Sequence, residues 1–291
     1  MAQQRKVEGV YSGRGFHWVG DGFRVNQVFP GAHDLGEKIS PWLMMDYHAP
    51  FVYEPTEHPR GVGVHPHRGI ETVTLAFEGS VEHKDSTGAG GIIGPGDVQW
   101  MTAAGGILHR EHHEREWAKA GGRFHMMQLW VNLPAANKME EPAYQGLLAS
   151  ELGSVEVERG RVHVIAGELE GVAGPAKTHS PVILWRAELK DAGRFRFSVP
   201  EADNIGVFVL EGDVEANGTL AGEHQLILFD HEGTEIEVNT LEGAHLLILG
   251  GTPLGEPVVS YGPFVMNSKQ QILEAIEDFQ QGRFGHLDDL H

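Results

Sequence analysis

The sequence has 291 residues, of which 41% are hydrophobic and 22% are charged, and it contains no cysteine. Such a composition is typical of a globular protein with one large or two ordinary domains, and it excludes disulfides, thiolate catalysis and cysteine-ligated zinc. The formal net charge of −19 argues against direct binding to nucleic acid or to an anionic membrane. Because we find neither a signal-peptide core nor an apolar stretch long enough to span a bilayer, we expect a cytoplasmic protein.

Short apolar runs separated by turn residues dominate the chain. Its 39 Gly and 15 Pro residues punctuate stretches that are wholly apolar or alternate between apolar and polar positions. Many short strands joined by glycine-containing turns indicate a β-sandwich or a β-barrel. In chain order, the clearest runs are 72–77, 124–133, 182–185, 206–210, 225–229 and 246–249. We therefore predict an all-β fold class.

Two polar pairs lie on predicted strands in the first half of the chain. His65 and His67 are two residues apart, as are His109 and Glu111, so each pair would project from one face of its strand. A turn at 95–97 (Pro-Gly-Asp) would bring the second pair back toward the first. Three imidazoles and a carboxylate suit iron, manganese, nickel or zinc, and leave coordination positions open for substrate or dioxygen. We predict one mononuclear metal site.

A short pattern repeats between the two halves. An apolar strand, Glu-Gly and a polar hairpin occur around Gly79 and again around Gly212, 133 residues later, which predicts two similar β-domains. We place them at 1–140 and 141–291, with the polar stretch 136–160 as a linker. The same spacing carries the His-x-His pair onto Ser198 and Pro200, so we expect no metal in the second domain.

One amphipathic helix is predicted near the carboxy terminus. Asn267 or Ser268 can cap it, and Gln271 occupies the capping-box position after Ser268. Gly282 follows the last turn as a left-handed stop. The apolar stripe that would pack the helix on a sheet consists of Ile272, Ile276 and Phe279. We assign this helix no chemistry.

Longer motifs around these residues resemble the pirin family of the cupin superfamily. The order His-x-His, Glu-Gly, Pro-Gly-Asp and a later His is that of the double cupin motif. The resemblance runs from about Gly20 to about Arg283 and is carried by HPHRGIETVT, the run 78–86, PGDVQWMTAAGGILHRE, QLWVNLP and GPFVMNSKQQILEAIEDFQQGR. It implies two cupin (jelly-roll) β-barrel domains in one chain, face to face, with the carboxy-terminal helix returning to pack on the other domain.

The resemblance also implies chemistry. Pirin-like proteins are described as iron-containing, several bacterial members cleave the flavonol quercetin with dioxygen, and the human member is linked to transcription factors as a nuclear, redox-responsive cofactor. The metal ligands of the family fall on His65, His67, His109 and Glu111, and all four are present. We expect one divalent transition metal, Fe(II) first, with Mn, Ni, Zn or Cu as alternatives.

The carboxylate ligand has an alternative. The general cupin motif would take it from Glu71, whereas the pirin pattern uses Glu111; we favour Glu111 and keep Glu71 as a supporting carboxylate. Glu111 is also the candidate catalytic group, since it can shuttle a hydroxyl proton. We expect the remaining histidines nearby to be surface or packed side chains, with a minor role near the metal left open for His113. They are His112, His113 and His125.

These expectations favour one function and leave two alternative functions open. The function is a quercetin 2,3-dioxygenase-type oxidoreductase that acts on an aromatic or flavonol small molecule with dioxygen. The rivals are a redox-sensing module whose metal state controls binding of a protein partner, and a structural cupin with a loosely held metal. We expect a monomer, because two barrels in one chain supply the pairing that single-barrel cupins obtain by dimerising. The residues that would line either the pocket or the barrel core are Met44, Met45, Trp100, Met101 and Met127.

Overall fold

Residues 3–290 are described by a computed structural model, and they form two units. One, here called the histidine unit, contains Gly15–Gln27, Met44–Ala149 and the chain from Gly255 onward. The other, the apolar unit, contains the chain up to Arg14, Val28–Leu43 and Ser150–Leu254. Each unit is thus assembled from three separate segments. The predicted boundary between residues 140 and 141, which takes the halves as continuous, stays a prediction.

Strands make up most of the regular structure. Up to residue 132 they are β1 (Val7–Ser12), β2 (Phe16–Val19), β3 (Phe23–Phe29), β4 (Trp42–Tyr53), β5 (Gly61–His67), β6 (Ile70–Glu78), β7 (Val81–Asp85), β8 (Gly90–Ile93), β9 (Val98–Thr102), β10 (Ile107–His113) and β11 (Gly122–Asn132). The later strands are β12 (Ala143–Leu147), β13 (Gly153–Ala166), β14 (Glu168–Leu169), β15 (Val172–Ala173), β16 (Val182–Ser198), β17 (Asn204–Gly212), β18 (Val214–Ala216), β19 (Thr219–Ala221), β20 (Gln225–Phe229), β21 (Glu235–Asn239), β22 (Glu242–Gly251), β23 (Val259–Tyr261) and β24 (Phe264–Met266).

Helical structure is sparse within the described residues. It consists of α1 (Arg115–Ala120), α2 (Lys269–Gln280) and 3-10 turns at Gly36–Lys38, Ala135–Asn137 and Ala149–Glu151. The prediction of an all-β chain with a carboxy-terminal helix is confirmed. The short helix α1 was not predicted, because six residues are too few to show a helical period. Neither α-helix is long and apolar enough to cross a membrane.

Two sheets build most of the histidine unit. One has four strands in the order β5-β10-β7-β8, and the other has seven in the order β12-β9-β6-β11-β4-β3-β2. Strand β6 lies between β9 and β11 and pairs antiparallel with both. The stretch 136–160, predicted as a linker, contains β12, which extends the seven-stranded sheet by pairing with β9.

One nine-stranded sheet forms most of the apolar unit. Its order is β1-β20-β17-β22-β16-β21-β18-β19, with β13 also paired to β16. Strand β16 is long enough to pair with β22 over its first part and with β21 over Arg194 to Ser198. The interior is a buried apolar cluster that includes Trp185, Phe195, Phe197, Val207 and Ile248. This unit therefore has an ordinary hydrophobic core.

Helix α2 packs in the histidine unit, on β23 and β24. Ser268 is the N-cap, and its Oγ accepts a hydrogen bond from the backbone N of Gln271 at 3.3 Å. Ile272 and Ala275 are buried against Phe264 and Phe284, which stabilises the helix through its apolar face.

Candidate metal centre

Three predicted residues come together on one face of the four-stranded sheet. Strand β10 pairs antiparallel with β5, so that His109 lies opposite His65 and Ile107 lies opposite His67. Directly opposed residues on antiparallel strands share a face, as do residues two apart on one strand. One nitrogen from each of the three imidazoles lies within 4.8 Å of the others. Within residues 3–290 this is the one group of three or more such side chains with a spacing that fits a metal ion.

Two of the three histidines are held by backbone carbonyls. His65 Nδ1 donates to the carbonyl oxygen of Gly63 at 2.8 Å, and His67 Nδ1 donates to that of Pro263 at 3.4 Å. Since a carbonyl oxygen can only accept, the single proton in the neutral form of each ring is on Nδ1. The lone pair of each ring is therefore on Nε2, the form in which histidine binds a metal while its other nitrogen is hydrogen-bonded.

His109 is the most deeply buried of the three, with 0% exposure. Its Nδ1 faces Nε2 of His83 at 2.8 Å, and its own Nε2 is buried without a hydrogen-bond partner among the described residues. Burial, together with the neighbouring histidines, lowers the pKa of His109 well below its usual value and that of His67 to about 3. Both rings are therefore neutral near pH 7, as a metal ligand must be.

Glu111 lies beside this group but is held by two other side chains. It is 3% exposed, and on β10 it lies opposite His83 of β7 and Val62 of β5. A register shift between His109 and Glu111 shows one extra residue in β5. The carboxylate accepts hydrogen bonds from Thr74 Oγ1 at 3.1 Å and from Gln128 Nε2 at 2.7 Å. Burial raises the pKa of Glu111.

Glu71, the alternative carboxylate, projects away from this site. It is 1% exposed and accepts a hydrogen bond from Thr102 Oγ1 at 2.7 Å. The pairing of β6 with β9 is regular from Glu71 to Leu75, so Glu71 and Thr74 lie on opposite faces of the sheet. Because Thr74 reaches Glu111, the side chain of Glu71 is on the far side of β6 from the histidines.

One face of the seven-stranded sheet lies against the histidine group. Strand register places Tyr144, Met101, Thr72 and Trp130 in one row across β12, β9, β6 and β11. The Trp130 ring meets His67 edge-on with centroids 5.1 Å apart, and the Tyr144 ring stacks on His83 at 5.5 Å. This row forms the wall opposite the imidazoles.

The apolar residues predicted near the pocket divide between the two faces of this sheet. Met101 is in the row that faces the histidines, whereas Trp100 and Met127 alternate onto the opposite face. Met44 and Met45 are neighbours on β4 and so cannot share a face. Of the two alternatives given for these residues, the register thus supports the pocket for Met101 and the core for Trp100 and Met127.

The other nearby histidines are buried side chains outside the three-histidine group. His113 Nε2 hydrogen-bonds with the carbonyl of Gly22 at 3.0 Å, and His125 Nε2 hydrogen-bonds with the Tyr47 hydroxyl at 2.9 Å. His112 is 8% exposed and alternates away from Glu111 on β10.

His83 was missed in the sequence. It sits on β7, two residues before Asp85, and is 2% exposed. A signal was present, because the run 78–86 already belonged to the family motifs. A lone histidine on a short strand nevertheless carries no pattern of its own.

Comparison with known proteins assigns the family. The family described as "Pirin" matches residues 22–131, and the "Pirin C-terminal cupin domain" matches residues 184–285. A Pseudomonas aeruginosa protein named "Putative quercetin 2,3-dioxygenase" is 47% identical over 282 residues, which cover 96% of this chain and 98% of that protein. The chain belongs to the pirin family. A pirin-like protein of Solanum lycopersicum is 35% identical over 91% of this chain and 88% of its own length.

Solved structures confirm the architecture of this pirin. A crystal structure of quercetin 2,3-dioxygenase from Acinetobacter baumannii matches it with a TM-score of 0.95 and 45% identity, over 98% of this chain and 100% of that one. The predicted pair of cupin domains, and the resemblance that suggested it, are both confirmed.

Proposed function

We propose that this pirin is a mononuclear metal-dependent dioxygenase that cleaves flavonols such as quercetin, with His65, His67, His109 and Glu111 as the metal ligands. The observation that carries the proposal is the convergence of three imidazole nitrogens within 4.8 Å on one face of a sheet. The names of the relatives from P. aeruginosa and A. baumannii support the substrate class and the use of dioxygen.

The donor set fits a divalent transition metal. Three neutral imidazoles and one carboxylate suit Fe(II), with Mn, Ni, Zn and Cu as alternatives, and do not suit calcium or magnesium. His109 Nε2 is buried without a hydrogen-bond partner in the described chain. Since an unpaired buried polar atom destabilises a fold by about 1–3 kcal/mol, an ion that accepts this lone pair would remove the penalty.

The bound ion would supply Lewis acidity toward a flavonol hydroxyl and electron transfer with dioxygen. The side chains of the histidine unit would hold and orient the reactants. Trp130 and Met101, in the row that faces the imidazoles, provide an aromatic and an apolar wall for a flat ring. His67 and His109 are neutral, so they add no positive charge that would oppose binding of the ion.

Glu111 is the group we assign to proton transfer. It is a buried carboxylate on the same sheet face as the histidines, and Thr74 and Gln128 fix its orientation. As one of the four proposed ligands, its carboxylate would lie next to a flavonol hydroxyl bound to the same ion. It is therefore suited to accept the hydroxyl proton that a flavonol releases when it binds.

The proposal is tested by elemental analysis followed by gas measurements. We expect about one metal ion per chain, and oxygen uptake with carbon monoxide release when the metal-loaded protein meets quercetin. Chelation should stop both signals, and re-addition of Fe(II) should restore them. Metal-loaded protein that consumes no oxygen with quercetin or any other flavonol would contradict the dioxygenase function and would favour the regulatory alternative.

A further inference from the structure

His109 differs from the other two histidines in what holds its ring. His65 and His67 donate to backbone carbonyls, whereas Nδ1 of His109 meets a second side chain, Nε2 of His83, at 2.8 Å. We propose that His83 is a positioning residue of the metal centre, which orients the ring of His109 and accepts its Nδ1 proton. This inference rests on the metal site proposed above and adds to it a residue outside the four ligands.

The ring of His83 is itself fixed from two sides. Strand β7 pairs with β10, which puts His83 directly opposite Glu111. Tyr144, from the other sheet of the unit, stacks on the His83 ring at 5.5 Å with only 14° between the planes. The side chain is 2% exposed, and the tyrosine ring covers one face of its imidazole. His83 is therefore a rigid partner for His109.

The hydrogen bond couples the tautomers of the two rings. A bond between two neutral imidazoles contains one proton, which belongs to either His109 Nδ1 or His83 Nε2. Only the first arrangement leaves the lone pair of His109 on Nε2, where the three histidines converge. His83 must then carry its proton on Nδ1, an atom with no partner among the described residues. The bond to His109 is thus the one contact in the described chain that sets the tautomer of His83.

Asp85 does not take this role, although it shares the sheet face with His83 and lies opposite His109. Its Oδ1 accepts hydrogen bonds from the backbone N and Oγ1 of Thr87, at 2.8 and 2.6 Å, and from the backbone N of Ala89. These contacts close the turn between β7 and β8. Among the described residues, the hydrogen-bond partner of His109 Nδ1 is therefore His83 Nε2 and not Asp85.

Two amide substitutions separate this role from simple packing. In His83→Gln the amide oxygen reaches about as far as Nε2 and can still accept the proton of His109, whereas in His83→Asn it falls one bond short. We expect His83→Asn to bind Zn²⁺ about 10- to 100-fold more weakly than the wild type, as for other lost partners of ligand histidines. His83→Gln should keep most of the affinity. Both are measured by competition against a chromophoric chelator.

His48→Leu is the matched control. His48 is also fully buried in the histidine unit, and its two nitrogens hydrogen-bond with the Ala49 carbonyl and the Tyr53 hydroxyl, each at 2.9 Å. Its removal should lower the melting temperature of the metal-free protein and leave the Zn²⁺ affinity unchanged. Nitrogen-15 NMR of the zinc-loaded wild type should show protonated Nδ1 on both His109 and His83.

The outcomes distinguish this inference from the proposed function. A wild-type chain that binds no metal would overturn the metal site, and the role of His83 with it. Tight metal binding by the wild type together with equal affinity in His83→Asn would overturn the positioning role alone. Equal losses in the Asn and Gln variants would also contradict it, since packing rather than the hydrogen bond would then be responsible.

Discussion

The two units share one pattern of strand pairing. In the histidine unit β6 lies between β9 and β11, and β10 lies between β5 and β7. In the apolar unit β17 lies between β20 and β22 in the same way, and β21 lies between β16 and β18. Strands β10 and β21 are therefore equivalent, and their side chains can be compared position by position.

Equivalent positions carry opposite chemistry. Where the histidine unit sets His65 against His109, the apolar unit sets Phe197 against Ile236. A second pair of opposed residues can be compared in the same way. It is His83 with Glu111 in the histidine unit and Ala216 with Val238 in the apolar unit, and all four side chains are buried. Equivalent strand positions thus hold a hydrophobic core in one unit and a candidate metal site in the other. The fold alone therefore does not specify the function.

Removal of a proposed metal ligand should have the largest effect, because it takes away the chemistry that distinguishes the histidine unit from the apolar unit. We expect His109→Ala to abolish stoichiometric metal binding and to reduce oxygen uptake with quercetin to background, because the three remaining ligands would hold the ion only weakly. Circular dichroism should show an intact β fold, because the His109 ring is not part of a hydrophobic core. Full metal content in this variant, measured by mass spectrometry of the purified protein, would exclude His109 as a ligand.

A change at the counterpart of His65 in the apolar unit should have the opposite effect. Phe197→Ala removes a buried ring from a packed core and should lower the free energy of unfolding by about 3–5 kcal/mol, measured in denaturant. Metal content should stay at the wild-type level. Loss of metal in this variant at temperatures where it remains folded would mean that the chemistry does not belong to the histidine unit alone.

A smaller effect concerns pH. Asp46 of β4 is 7% exposed, and burial raises the pKa of its carboxyl to about 6. The folded state therefore favours protonated Asp46, and its contribution to stability is present below pH about 4 and lost as the pH rises through about 6. Asp46→Asn should gain on the order of 2–3 kcal/mol over the wild type across this interval. Parallel stability curves for the two metal-free proteins between pH 4 and 7 would contradict the shift.

Much of the candidate site could be predicted from the two-residue alternation of side chains along a β-strand. His65 with His67, and His109 with Glu111, are two apart, and that spacing places each pair on one face whatever the rest of the fold does. The partners of these residues could not be predicted in the same way. His83 is 26 residues from His109, and the two meet only because β7 and β10 are paired in one register.

The internal repeat shows a similar limit. A constant spacing of 133 residues holds at Gly79 and Gly212 but led to Ser198 as the counterpart of His65. Strand pairing places Phe197 there instead, opposite Ile236, because the apolar unit has one more residue between this position and the Glu-Gly turn: Phe197 precedes Gly212 by 15 residues, whereas His65 precedes Gly79 by 14. Insertions of this kind are invisible in one sequence, since they change loops and leave the strand pattern intact. The pairing of β1 with β20 was likewise not predicted.

The central claim is tested most directly by anomalous X-ray diffraction at the iron edge, from crystals grown with Fe(II) under nitrogen. We predict one peak per chain, in the histidine unit, about 2.0–2.2 Å from Nε2 of His65, His67 and His109 and from the carboxylate of Glu111. A peak in the apolar unit, a peak beside Glu71, or no peak at the three histidines would contradict it.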